Sequence, residues 1–111
     1  LLTIQYNMHL FYDLYNRGIH LTQQREQHIF TDHPEMVGQI EKLEETLKSP
    51  DTIILSKTDE SVQLYYKNYF KTPVTNKFLC LVVKILENEG FIITSYFTDS
   101  IKKGAIIWTK K

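Results

Sequence analysis

With one cysteine, four glycines, three prolines and no surplus of either charge, the 111-residue chain is short of several features that would point directly to a function. The lone thiol, Cys80, excludes a disulfide framework and fits a reducing compartment. It sits in the apolar run 78–85 without an activating neighbour, so core packing is expected of it rather than nucleophilic chemistry. The four glycines are scattered, which leaves no Gly-rich loop to cradle a phosphate. Thirteen Lys and Arg balance thirteen Asp and Glu, so the whole molecule exerts no net pull on phosphates or lipids. Any nucleic-acid role must therefore rest on a local patch. No apolar run approaches the ~18 residues of a membrane span, and Leu1-Leu2-Thr3-Ile4 lacks the basic start and cleavage site of a signal peptide. The expectation is a cytoplasmic protein with no membrane partner.

What the chain does have is apolar content, 42% with 13% aromatic, enough for a folded core without metal or disulfide support. Residues 1–9 carry no clear pattern and read as a lead-in, with one domain over 10–111. The aromatic stretch 10–15, the turn signal Asn16-Arg17-Gly18 and a short extended piece at 19–21 suggest a hairpin. Thr22 is a good N-cap for a helix that Pro34 ends at or before His33. A second helix is expected over 35–48, with Met36, Val37, Ile40, Leu43 and Leu47 on one stripe. Extended segments follow at 52–57, 62–70, 77–86, 91–98 and 105–109, with turns at Thr72-Pro73 and around residues 87–90. Helices followed by consecutive strands predict an α+β domain, its N-terminal helices packed on one face of a four- to five-stranded antiparallel sheet.

The chemistry-bearing residues concentrate in 25–36. Arg25, His28 and Ile29 are three and four apart, so Arg25 and His28 can address one place. His33 lies five residues beyond His28 and more naturally ties down the helix end. That spacing differs from the i, i+4 zinc pair, and with one cysteine no four-ligand set exists, so neither a metal nor another cofactor is expected. On the strand 91–98, simple alternation puts Thr94 and Tyr96 on one face. Lys84 interrupts the apolar strand before it, where an unpaired buried charge would be costly.

Taken together, Leu21-Thr22, Arg25, His28-Ile29, His33-Pro34-Glu35-Met36, Leu64-Tyr65-Tyr66, Val82-Val83-Lys84, the run 90–96 and Ile101-Lys102-Lys103-Gly104 with Trp108 resemble the phage-type nuclease domains grouped with the barnase, EndoU, colicin and RelE ribonucleases. The likeness runs from about residue 10 to the C-terminus, with Glu26 where relatives tend to carry an aromatic residue. It implies helices on an antiparallel sheet and metal-independent RNA cleavage of toxin or prophage type. Such cleavage needs a base for the 2′-hydroxyl proton, an acid for the leaving 5′ oxygen, and donors for the phosphate charge. His28 is the leading acid–base candidate, Arg25 a phosphate clamp, and Thr94 and Tyr96 orienting or base-stacking groups. Lys84, Lys67, His33, Lys102 and Lys103 are candidates to bind substrate. RNA is the expected substrate, and an antitoxin or immunity protein the expected partner. The competing reading is a non-catalytic RNA- or protein-binding module, and a weaker one is a structural phage component.

Overall fold

The Thr22 side chain accepts from the Arg25 amide, which starts the first helix, and the His33 amide closes it on the Ile29 carbonyl. In the computed structural model, which describes residues 8–70 and 76–111, this helix is α1 (Gln23–Asp32). The turn expected at Thr72-Pro73 lies outside the described residues. Two strands precede α1, β1 (Met8–Tyr12) and β2 (Gly18–Thr22), so Met8 and His9 belong to a strand rather than to the lead-in.

The helix anticipated over 35–48 is divided. Pro34–Met36 forms a single 3-10 turn, and α2 is Ile40–Lys48. Between them Gly38 adopts φ +81°, a conformation that L side chains rarely take and that cannot continue a helix. Five strands follow: β3 (Thr52–Leu55), β4 (Val62–Tyr69), β5 (Lys77–Leu86), β6 (Glu89–Thr98) and β7 (Ile106–Thr109).

These strands correct the expected sheet. It has seven strands, ordered β1-β2-β6-β5-β4-β3-β7, instead of four or five. It is also mixed rather than antiparallel, because β2 runs parallel to β6 over Gly18↔Glu89, Ile19↔Gly90 and His20↔Phe91. The physical reason lies in β2 and Gly90. Ile19 and Leu21 are fully buried and alternate with more exposed neighbours, a half-buried strand that must find a partner. A Cβ on Gly90 would stand 2.9 Å from both Ile19 Cδ1 and Ile85 Cδ1. Glycine there leaves both isoleucine side chains room as β2 packs against β6.

The helices place Ile29, Met36, Leu43 and Leu47 against Ile53, Tyr65, Leu79, Leu81, Val83 and Ile92, and the main core lies between helices and sheet. A smaller cluster, Ile54, Leu64, Tyr66 and Cys80 with Ile101, lies on the other face. The β5–β6 hairpin pairs Leu86 with Glu89, and its register shifts between Val82 and Val83, so that Val82 faces Thr94 while Val83 faces Ile92. The extra residue, Ile93, is a β-bulge. It sends Ile92 to the helix-bearing face and Thr94 to the opposite one, where simple alternation had put them together.

Asp51 ties the end of α2 to both β4 and β7. Its carboxylate accepts from the Asn68 amide at 2.8 Å and pairs with Lys110 Nζ at 2.7 Å. Partial burial opposes ionisation, but the Lys110 and Asn68 hydrogen bonds outweigh it and hold the group below its ordinary value of 3.8. A depressed folded-state value means that the stabilisation is present above that ordinary value and is lost as pH falls through the lower one. Asp51→Asn should therefore cost ~1 kcal/mol or less at neutral pH, Lys110 being largely exposed. Denaturant melts should show this difference shrinking as pH falls below the ordinary value of 3.8, and a difference that did not shrink on acidification would contradict the assignment.

Candidate functional site

The helix-free face carries an open hollow of about 540 Å³, between the β3–β4 connection and the segment that leads into β7. Thr94 and Tyr96 from β6, with Val82 and Leu64 beside them, form its floor; Ser56, Lys57, Thr58 and Asp59 make one wall, and Lys102 and Lys103 the other. The second wall is fixed by the backbone: the Lys102 amide donates to Tyr66 Oη at 3.1 Å, and the Leu55 amide to the Ala105 carbonyl at 2.8 Å. Between them Gly104 passes so close to β3 that a Cβ would stand 2.6 Å from Leu55 O and 2.7 Å from Ile54 Cγ2. Backbone atoms cannot step aside as a flexible side chain can. Gly104→Ala is thus expected to cost roughly 1–3 kcal/mol in a thermal or denaturant melt and to displace both lysines. A melt unchanged by the substitution would contradict the close packing.

Lys57, Lys102 and Lys103 are exposed, and among the described residues none of the three forms an ion pair. Asp59 is held below its ordinary value by two hydrogen bonds from Ser61 and one from Lys84, and Lys84 Nζ lies 3.3 Å from its Oδ2. Asp59, the one carboxylate among the described residues that line the hollow, is therefore partly neutralised by a fourth lysine. Burial raises the Tyr96 phenol well above its ordinary value, and the Cys80 thiol beneath it adds to the effect. Tyr96 stays protonated and is a donor. Burial likewise pushes the Cys80 thiol up, against hydrogen bonds from Tyr96 and Tyr66, which leaves it unreactive. Unpaired ammonium groups around a neutral phenol and a threonine suit an anion of phosphate type.

His33 reaches this face from the edge of the sheet. Beyond Phe91, β6 has no β2 partner, and the chain after α1 wraps that edge so that the His33 ring lies 5.4 Å from the Tyr96 ring, tilted by 35°. Its Nδ1 is 3.9 Å from Glu35 Oε1.

The sequence-derived candidates thus divide. Thr94, Tyr96, Lys102 and Lys103 are brought together, with His33 against Tyr96 and Lys84 against Asp59. His28 is exposed on the outer side of α1, in a shallow hollow with Gln24, Gln27 and Thr31 that shares no lining residue with the first. Arg25 is exposed on the same helix. Lys67 lies on the helix-bearing face, where Nζ donates to the Ser49 carbonyl at 2.8 Å. Glu26 pairs with His9 at 2.7 Å, a polar tie in place of an aromatic contact. A third hollow, at the β5–β6 turn, is lined by residues 86–89, two of them glutamates, and suits no anion. Lys57 and Asp59 are not among the sequence-derived candidates, because they fall in the short connection between two extended segments, where charged residues are ordinary. The only signal was a lysine beside hydroxyl residues in a turn.

Among the described residues no three His, Cys, Asp or Glu side chains cluster closely enough to hold a metal ion, and no helix is long and apolar enough to cross a membrane. Comparison of the chain with protein-family models, curated proteins and solved structures found no match.

Proposed function

We propose that the protein is a cytoplasmic, metal-independent endoribonuclease whose substrate phosphate sits in the lysine-walled hollow on the helix-free face. The observation that carries this reading is the convergence of Lys57, Lys102 and Lys103 on Thr94 and Tyr96, with an imidazole, His33, packed on the Tyr96 ring. Of the residues that carry the resemblance to the barnase, EndoU, colicin and RelE group, Thr94, Tyr96, Lys102 and Lys103 line this hollow, whereas His28 and Arg25 do not.

In the proposed reaction a base removes the 2′-hydroxyl proton, the 2′ oxygen attacks phosphorus, the bond to the 5′ oxygen breaks, and an acid protonates that leaving oxygen. The products are a 2′,3′-cyclic phosphate and a free 5′-hydroxyl. The lysines and the Tyr96 hydroxyl would stabilise the negative charge that grows on the phosphate oxygens. His33 is assigned one of these two proton transfers, because in-line attack puts the 2′ and 5′ oxygens on opposite sides of phosphorus. An enzyme of this kind endangers its own cell, so an antitoxin or immunity protein that covers the hollow belongs to the proposal.

Purified protein mixed with total cellular RNA in EDTA should yield fragments with cyclic-phosphate ends. Intact RNA at high protein concentration, with oligonucleotide affinity retained, would favour the non-catalytic binding module.

A further inference from the structure

The strand registers put a second group of side chains on the helix-free face. Residues directly opposite on paired strands share a face, so Val62↔Lys84, Lys84↔Phe91, Phe91↔His20 and His20↔Leu10 form one row across five strands. Val62, at one end of the row, also lines the hollow. At its centre the His20 and Phe91 rings are stacked, their centroids 5.0 Å and their planes 25° apart. That separation matches the spacing of neighbouring strands, about 4.8 Å. Rings so close and so nearly parallel cannot lie flat side by side; they stand upright and turn their edges to solvent.

We infer that this ring pair is a base-binding subsite for single-stranded RNA, taking the nucleotide next to the one whose phosphate occupies the hollow; the inference rests on the reading of the hollow as an RNA site. A nucleobase laid across the upright rings offers its π face to their positive edges, the edge-to-face arrangement that aromatic groups favour. Only an unpaired base can present that face, so the subsite selects single strands. Charge fixes the path of the backbone. Lys84, already paired with Asp59, brings no free charge here, but Glu89 lies 3.8 Å from His20 Nε2 and repels phosphate on the side away from the hollow. The row runs on into exposed Leu10 and its neighbours Met8 and Tyr12, an apolar strip that a protein partner would also find.

The test uses a short 2′-O-methyl oligouridylate, which cannot be cut because its 2′ oxygen is blocked, and uridine 3′-monophosphate, which fills the hollow alone. Phe91→Leu keeps the bulk of the side chain but removes the ring. It should weaken oligonucleotide binding roughly 2- to 12-fold, leave mononucleotide binding unchanged, and be rescued by Phe91→Tyr. Equal oligonucleotide affinity in wild type and Phe91→Leu would overturn the subsite and leave the hollow standing. Failure of the wild type to bind either probe would overturn both readings. A change in oligomeric state with oligonucleotide affinity unaltered would assign the strip to protein contact, against the inference. Should Phe91→Leu fail to fold, His20→Ala is read in the same way.

Discussion

His33→Ala is expected to slow RNA cleavage by about 10²- to 10⁴-fold, the range lost when a positioned general acid or base is removed. His28→Ala should leave the rate near that of the wild type. The contrast follows from position, not residue type. His33 lies against Tyr96, which lines the hollow, whereas His28 faces solvent from the outside of α1 in a separate shallow hollow with Gln24, Gln27 and Thr31. The His33 side chain is one-third exposed and caps neither neighbouring helix through a hydrogen bond, so its loss should spare the fold. Lys102→Ala with Lys103→Ala should act differently, weakening binding of the oligonucleotide as well as turnover, because those charges meet the phosphate in the ground state too. Cleavage assays in EDTA on folded variants decide the matter. A His28→Ala loss as large as that of His33→Ala would move the acid–base role back to α1.

The largest effect on stability should come from Asp13→Ala, at about 3–5 kcal/mol out of a total of typically 5–15 kcal/mol. The Asp13 side chain is fully buried beside Arg17. It accepts from the Tyr15 amide at 3.0 Å, the Arg17 amide at 2.9 Å, Arg17 Nε at 2.8 Å and Tyr65 Oη at 2.7 Å. Arg17 also donates to Tyr65 Oη at 2.8 Å and Gln63 Oε1 at 3.2 Å. Burial alone would lower the Arg17 value, but Tyr65 and Asp13 hold it above the ordinary one. Burial and Asp13 together push the Tyr65 phenol well up. Removing the carboxylate strands four donors, one of them on the Arg17 guanidinium, at the joint between the β1–β2 turn and β4. Replacing Asp13, Arg17 and Tyr65 together with apolar residues of similar size should recover much of the loss, since no polar group would then lack a partner. An Asp13→Ala cost below about 1 kcal/mol in a denaturant melt would show that water serves those donors instead.

How much of this was legible depended on the range of the interaction. The hairpin turn, the Thr22 cap and the stop before Pro34 are local, set by residues within one turn of each other, and each was readable. Gly38 was readable in principle, but the apolar stripe through Met36 and Ile40 masked the break. The parallel β2–β6 pairing was not readable, because it joins Ile19 to Gly90 across most of the chain. The bulge at Ile93 is invisible to a period-two pattern, yet it decides which face Thr94 meets. For the site, the strand threonine and tyrosine and the Lys102-Lys103 pair could be named from the sequence. Their company could not: Lys57 and Asp59 reach the hollow only because β3, β4 and the segment before β7 fold beside one another. Helical spacing favoured His28, since it shares a side of α1 with Arg25; it gave no hint that the chain after His33 would turn round the free edge of β6.

The account turns on where RNA phosphate binds, and an amide ¹H–¹⁵N titration with the uncleavable oligonucleotide tests that most directly. Shifts should gather at Lys57, Thr94, Tyr96, Lys102 and Lys103, with His33 moving alongside Tyr96. Shifts confined to Gln24, Gln27, His28 and Thr31, or none at saturating oligonucleotide, would contradict it.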